Sequence, residues 1–582
     1  MLGAYYGALD IAKTAIMIHQ KSIEVVSHNI ANVNTPGYTR QEAILETADP
    51  IKKYSSKIMF GAGVSIRNVS RVYDQFINSQ ILESSELLGR WDAQKNALSQ
   101  VEIIFNESPE YGLNNIMNDF WGTWHDLAVN PEGSAERTSL ISQAETLAAT
   151  INQMDADLRQ LQENMDMSIK GTIEEINQIT SQITGLNTKI SGAEAGGVEA
   201  NDLRDRRDLL LSDLSELIDF NSFEGGDGKV TVIAGNGKPL VEGITTWELR
   251  GVPSPGNSNF LDVNWVDSEG NLTDITSGIN GGKLKGWIEM RDTIIPEHLS
   301  KLDDLAKEII EEVNRLHSQG VGLDGFTDLT GTFGVNNPAN NLDSANLPFT
   351  PNAGSFTIEV MDATGAVVNT YNINVDPTTE SLNDLVNNIN AAVTGGEITA
   401  EVTTDGELRI YSNDPAAHSF AFTSDDSDTL MSLGMNTFFT AEYNSINNTW
   451  EYAKTMGVNP LVSNDISKVA AASQVTAPGD GSNADAIANL QDALLMDNNK
   501  YTFGDYYNSL VGKIGGEAWK SDEDYKHQVL VIDQLENYRE SISGVSLDEE
   551  MINLVKFQSA YEAAARLVSV VDEMLDTMIN MA

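Results

Sequence analysis

Apolar positions repeat every seven residues at both ends of this chain. Near the amino terminus one row holds Leu2, Leu9, Ile16, Ile23 and Ile30, and a second, offset by three, holds Tyr5, Ala12, His19, Val26 and Val33. Near the carboxy terminus the rows are Leu547, Leu554, Tyr561, Val568 and Leu575, then Phe557, Ala564, Val571 and Met578. The amino-terminal spacing predicts a helix of about thirty residues, roughly 45 Å long, with one apolar stripe. Heptads are the geometry of helix-on-helix seams, and matching stripes at both ends favour the two termini packing together. A lone stripe has no partner of its own, so each terminus is expected to be disordered in the monomer and to fold on assembly.

Between the ends lies more helix. Ile169, Ile173, Ile176, Ile183, Leu186 and Ile190 belong to a helix expected from about Ser134 to Ser191, bent near Gly171 or Gly185. A second is expected over Leu203–Ile218, where Arg204-Asp205-Arg206-Arg207-Asp208 reads as a solvated face with Arg204 and Asp208 paired one turn apart. A third begins with Pro296 in its first turn and stops near Gly320. More helix is expected from about Asp465 to the end, broken near Gly479 and Gly515.

Two inserts differ in texture. Residues 221–282 are rich in glycine and asparagine with short strand-like runs such as Lys229–Ile233. Residues 326–450 alternate strands, among them Phe356–Val360 and Leu408–Tyr411, with turns, and include one helix-like stretch, Ser381–Ala392. The predicted class is α+β and multidomain. Terminal helices, residues 1–45 and 540–582, form a coiled-coil-like core. A helical inner domain takes residues 46–220, 283–325 and 451–539; residues 221–282 are a small β-rich insert and 326–450 an acidic β-rich outer domain. The chain runs out and back like a hairpin.

The length of 582 residues is enough for several cores, and a net charge of −49 argues against nucleic acid, whose phosphates need a basic face. Apolar runs are too short for membrane insertion, and Met1–Gly7 lacks the basic, apolar start of a secretory leader. With no cysteine there is neither a disulfide framework nor a thiolate metal site. No two of the seven histidines stand four apart as metal ligands would, and His19 falls on the amino-terminal stripe, as a packed side chain. Asp425-Asp426-Ser427-Asp428 reads as a solvated turn, not a calcium loop. Gly225–Lys229 reads as a turn, with no clear strand before it, not a phosphate loop. The residues predict no enzyme, cofactor or metal.

One string is more specific: Ser27-His28-Asn29-Ile30-Ala31-Asn32-Val33-Asn34-Thr35-Pro36-Gly37-Tyr38-Thr39-Arg40-Gln41. It ends a helix and redirects the chain. Ala31 permits a close neighbour, Asn32 and Asn34 tolerate the left-handed conformation of helix ends, Pro36-Gly37 favours a type II turn, and Tyr38 is placed to anchor on an adjacent surface.

As a string it resembles the signature of the flagellar axial proteins, the rod, hook and hook-associated families, and its ending through Tyr38 and Arg40 is similar to the first hook-associated family. Phe120–Ala128, Asn201–Asp208, the helix from Arg291 to Gly320, Leu433–Phe439 and Arg539–Glu550 resemble further blocks of that family. The resemblance implies a structural subunit at the junction of hook and filament, needed for filament assembly. It implies self-association in a ring, contacts with the hook protein and the third hook-associated protein, and an export chaperone at the carboxy-terminal helix. It also implies an extracellular location, reached by type III export without a cleaved signal peptide. Another axial protein of hook or rod, or a junction protein whose outer domain is also an adhesin, is the alternative reading.

Overall fold

The structure, a computed structural model, describes residues 2–52, 59–106, 112–235 and 237–581, with side chains over 7–50, 61–106, 112–235 and 237–580; those of Leu2 and Tyr5 lie outside the described residues. In chain order the long helices are α1 (Leu2–Asn32), α2 (Gln75–Ile104), α3 (Leu113–Val129), α4 (Ser134–Glu194), α5 (Asn201–Leu217), α6 (Ile295–Ser318), α7 (Leu382–Ala392), α8 (Phe503–Ser543) and α9 (Leu547–Met581). Helices and small antiparallel sheets together make two compact units. One comprises Met1–Ala97, Glu163–Asp292 and Trp519–Ala582, the other Leu98–Gln162 and Thr293–Ala518.

α4 is the longest helix, 61 residues, because an apolar position recurs every three or four residues from Leu140 to Ile190 and no proline intervenes. It runs unbroken through Gly171 and Gly185 and stops before Gly197, whose φ of +79° only glycine adopts cheaply. α8 likewise continues through Gly515, where a break was expected. A Cβ there meets open space, so neither packing nor dihedral strain forces a stop.

In the first unit, Ile169, Ile173, Ile176 and Ile183 of α4 and Leu211, Leu214 and Leu217 of α5 face two small sheets. One has the order Phe220–Glu224, Val230–Ala234, Pro239–Glu242, Thr245–Thr246; the other has Leu261–Val266 between Leu272–Asp274 and Glu248–Pro253. Strand Phe220–Glu224 therefore precedes the glycine-rich loop after all, and that loop is a hairpin turn with Lys229 2.6 Å from Asp227.

In the second unit an aromatic cluster of Phe120, Trp121 and Trp124 from α3 meets Phe438 and Phe439, and buried Leu302, Ile309 and Val313 line α6. A β-rich core is built around strand Gly354–Asp362, flanked by Val367–Val375 and His418–Asp425, and covered by α7 through Leu385 and Ile389. α7 begins with a capping box. Ser381 Oγ accepts from Asp384 N, and the Asp384 carboxylate accepts from Ser381 N. Asp425 is not part of a solvated turn. It is buried, and its carboxylate accepts from the N–H groups of Ser427 and Leu430, organising the exit of the last strand.

α1 packs on α9 within the first unit, antiparallel, with the rings of His19 and Phe557 6.2 Å apart. Each stripe thus has a partner inside the same chain, which removes the premise for terminal disorder. The row offset by three lies at the centre: Ala12, Val26, Ala564 and Val571 are buried. The first row lies at the margins, because the buried sector of α1 (Ala12, Ile18, Ser22, Val25, Val26, Asn29) is turned away from it. Leu9, Ile16, Ile23 and Ile30 are half-buried, as are Leu554, Phe557, Val568 and Leu575, while Leu547 and Tyr561 are exposed.

Candidate assembly site

At the end of α1 the chain turns through Thr35-Pro36-Gly37-Tyr38. Tyr38 N donates to Thr35 O at 3.2 Å, and Gly37 sits at φ +74°, the geometry of a type II turn. Neither Asn32 nor Asn34 has the positive φ expected of it. Asn32 instead folds its side chain back on the last turn: Nδ2 donates to the His28 carbonyl at 3.0 Å, and Oδ1 accepts from Thr35 Oγ1. Ala31 and Asn34 are exposed.

Asn29, 1% exposed, is the hub. Its amide copies a strand partner, donating to Gln41 O at 2.9 Å and accepting from Gln41 N at 3.0 Å, and so starts strand Gln41–Thr47. Its Oδ1 also accepts from the Tyr38 hydroxyl at 2.7 Å. Tyr38 therefore anchors on its own helix, not on a neighbouring surface, with His28 Nδ1 3.0 Å from its oxygen. Burial, with Asp202, Asp205 and Glu550 nearby, pushes the Tyr38 phenol far above its usual range, so it remains a donor.

The strand that follows is held from two directions. On the α5 side, Asp205 accepts from Thr39 N and Oγ1 at 3.0 and 2.6 Å, and Asp202 accepts from Gln41 Nε2 at 2.8 Å. Arg71, on the paired strand Val64–Arg71, lies 2.8 Å from Asp205 and 2.6 Å from Asp208. On the carboxy-terminal side, Arg40 N donates to Ser543 O at 2.9 Å, and Arg40 Nη1 donates to Glu549 Oε2 at 2.8 Å.

The charged run on α5 is thus no solvated face. Arg204 pairs with Glu194 and Glu224 rather than with Asp208, and Arg207 is fully buried, bonding Gly228 O, Asn187 and Glu224. Side chains four apart on a helix pair only when no better partner approaches, and here the tip of a β-hairpin does. Asp202, Asp205, Asp208, Arg71 and Glu549 were missed because their partners lie far away in sequence.

Among the described residues no group of histidines and carboxylates is arranged to hold a metal ion, and no helix is long and apolar enough to cross a membrane. His317 is buried as a structural link: Nδ1 is 2.7 Å from Asn436 O, and Nε2 accepts from Ala470 N at 2.9 Å.

Three family models match along the chain: flagella basal body rod protein over residues 9–39, the helical domain of flagellar hook-associated protein FlgK over 98–333, and the flagellar basal body rod FlgEFG protein C-terminal over 539–581. The outer two fall on the paired helices and their motif. Flagellar hook-associated protein 1 of Bacillus subtilis is 26% identical, covering 98% of this chain and 97% of the relative's length. Those of Escherichia coli and Salmonella typhimurium are each 27% identical over 98% of this chain and 99% of their own length. Over nearly its whole length the chain is similar to the flagellar hook-associated protein 1 family. In fold it is similar to a flagellar hook junction protein FlgK from Burkholderia pseudomallei, with a TM-score of 0.51 at 17% identity, covering 80% of this chain and all of that one. Members of this family are flagellar structural proteins, and the mixed helical and β-rich architecture seen here accords with that of the Burkholderia protein.

Proposed function

We propose that this chain is a structural subunit of the bacterial flagellum at the junction between hook and filament, and that filament growth requires it. The observation that carries this reading is the union of α1, the Asn29–Gln41 turn and the start of α9 into one bonded unit, built on the two segments that match axial-protein models. A helix pair whose ends are locked in this way offers neighbours a fixed rod rather than two loose tails. The coiled-coil-like terminal core is then the part that continues an axial lattice, and the β-rich segments 221–282 and 326–450 form the outer domains.

On this reading the subunits associate in a ring, contact the hook protein on one side and the third hook-associated protein on the other, and act outside the cell after flagellar export. The exposed apolar residues of α9, among them Met551, Ile552 and Val555, supply a surface that an export chaperone covers beforehand. The test is a deletion strain complemented with this gene. Hooks without filaments, with flagellin in the medium, are expected without it, and filaments with it. Normal filaments in the deletion strain would end the proposal.

A further inference from the structure

Glu550 stands out among the buried charges. It is 2% exposed, and its Oε2 has no hydrogen-bond partner. It lines a cavity of about 240 Å³ together with the apolar Val25, Val26, Ala43 and Phe557 and the polar Ser22, Gln41, Glu42 and Asn553. Burial pushes the Glu550 carboxyl up, partly opposed by its bond to Asn29, so the open oxygen is either held protonated or completed by a cation. Arg40 lies nearby, but its Nη1 is turned to Glu549 at 2.8 Å and its Nη2 lies 3.7 Å from Glu42, while its buried Nε is left without a partner.

α9 also presents a cation with nothing to bind. Among the described residues Arg566 is exposed and forms no ion pair or hydrogen bond. It is bordered by Leu567, 44% exposed, and Val570, 50% exposed. An exposed arginine beside exposed apolar side chains has part of the composition of an interface hot spot, although Glu562 and Ser569 share its face, and its planar fork suits a buried carboxylate better than a lysine does. Arg566 cannot fill the cavity of its own chain. It stands 16 residues beyond Glu550 on the same helix, about 24 Å away along the axis.

We infer that the Glu550 cavity receives the Arg566 side chain of a second copy of this chain, making a head-to-tail contact between subunits. The inference rests on the assembly reading above and names the partner surface. A contact of this kind, between two different patches, propagates around a ring or helix instead of closing a pair. With a net charge of −49, copies repel one another, so a site where cation meets carboxylate sets the register in which they associate.

Because the chain has no cysteine, disulfide trapping gives a direct test. Asn553→Cys and Ala563→Cys lie 10 residues apart on one helix, about 15 Å, beyond the reach of a disulfide within one chain. In flagella purified from the complemented deletion strain, the double variant is expected to give a ladder of linked subunits on mild oxidation, and each single variant none.

Charge exchange gives the second arm. Glu550→Gln, which keeps the shape, and Arg566→Glu should each lower the amount assembled relative to the amount secreted by about tenfold or more, as losing one partner of a desolvated pair does. Combining Glu550→Arg with Arg566→Glu should recover most of it. Assembled subunits without a ladder, or normal assembly of Arg566→Glu, would overturn the inference. Loss with Glu550→Gln alone would mean that the cation comes from another axial protein, which also overturns it. Absence of the wild-type chain from purified flagella would instead defeat the assembly reading itself.

Discussion

Arg40 and Glu549, 509 residues apart in sequence, meet at 2.8 Å and join the exit of the first helix to the entrance of the last. The backbone reinforces the join, since Arg40 N donates to Ser543 O and Arg40 O accepts from Val72 N at 2.8 Å. Half of Arg40's role is therefore independent of its side chain. The flanking carboxylate is exposed, so the ion pair itself contributes little, about 0–1 kcal/mol, and mainly fixes direction.

The Asn29 hub should dominate the stability of this region. Tyr38→Phe removes the hydroxyl's bonds to Asn29 and His28 and is expected to cost about 1 kcal/mol, whereas Asn29→Ala strands both polar groups of Gln41 and should cost about 2–3 kcal/mol. Hydrogen exchange at the amides of Gln41–Thr47 reports the difference. Equal protection in the two variants would mean that the strand does not depend on the Asn29 side chain.

The seam should respond by row. Val571→Asp or Val26→Asp puts an unpaired carboxylate at a buried position and is expected to cost several kcal/mol, about 3–5. Ile23→Asp and Leu554→Asp, at half-buried positions, should cost less, and Tyr561→Asp less again. Proteolysis of the termini in the purified chain ranks the series. If Tyr561→Asp released α1 as readily as Val571→Asp, the central row would be misassigned.

Acid should loosen the second unit through His317. Burial, the largest influence, drives its imidazole down from 6.5 to about 4, partly opposed by the bond to Asn436 O. The folded state therefore resists protonation that the unfolded chain accepts. The contribution is complete above pH 6.5 and is lost as the pH falls from there through about 4, amounting to about 3 kcal/mol. Glu86 has the opposite sign: burial raises its carboxyl from 4.5 to about 7, so its contribution is complete below pH 4.5 and is lost as the pH rises through about 7. Denaturant melts of His317→Gln should lack the acid loss, and those of Glu86→Gln should show a gain near pH 8. Unchanged pH profiles in both variants would refute these assignments.

Two glycines with the same backbone sign should behave differently. Gly197 has φ +79° and open space around a would-be Cβ, so Gly197→Ala is expected to cost only the left-handed strain, about 1–2 kcal/mol. Gly282 has φ +74°, but its Cβ would lie 2.3 Å from Ile218 N and Leu217 C, backbone that cannot step aside. Gly282→Ala should cost well over that, about 4 kcal/mol or more, seen as a lower Tm.

Much of this molecule is written in short-range pattern. Heptads and three-four spacing specify α1, α4 and α9, because a helix folds back on itself every 3.6 residues and its apolar face is visible in any window. Pro36-Gly37 specifies its turn, and Ser381 with Asp384 its cap, since each acts on backbone within a few residues. Pattern also limits function: charge argues against nucleic acid, and the signature string pointed to the axial families. What tertiary structure alone decided is which equivalent residue finds which partner. Both rows of each terminal stripe look alike in sequence, yet of their described residues only Ala12, Val26, Ala564 and Val571 are buried at the seam, because the rotation of α1 against α9 is set by the strand and the Arg40–Glu549 join at their ends. Arg204 and Asp208 stand one turn apart as a pair should, yet each is taken by a residue from elsewhere. Charge attracts without regard to sequence distance, and the nearest opposite charge in space is known only when the chain has folded.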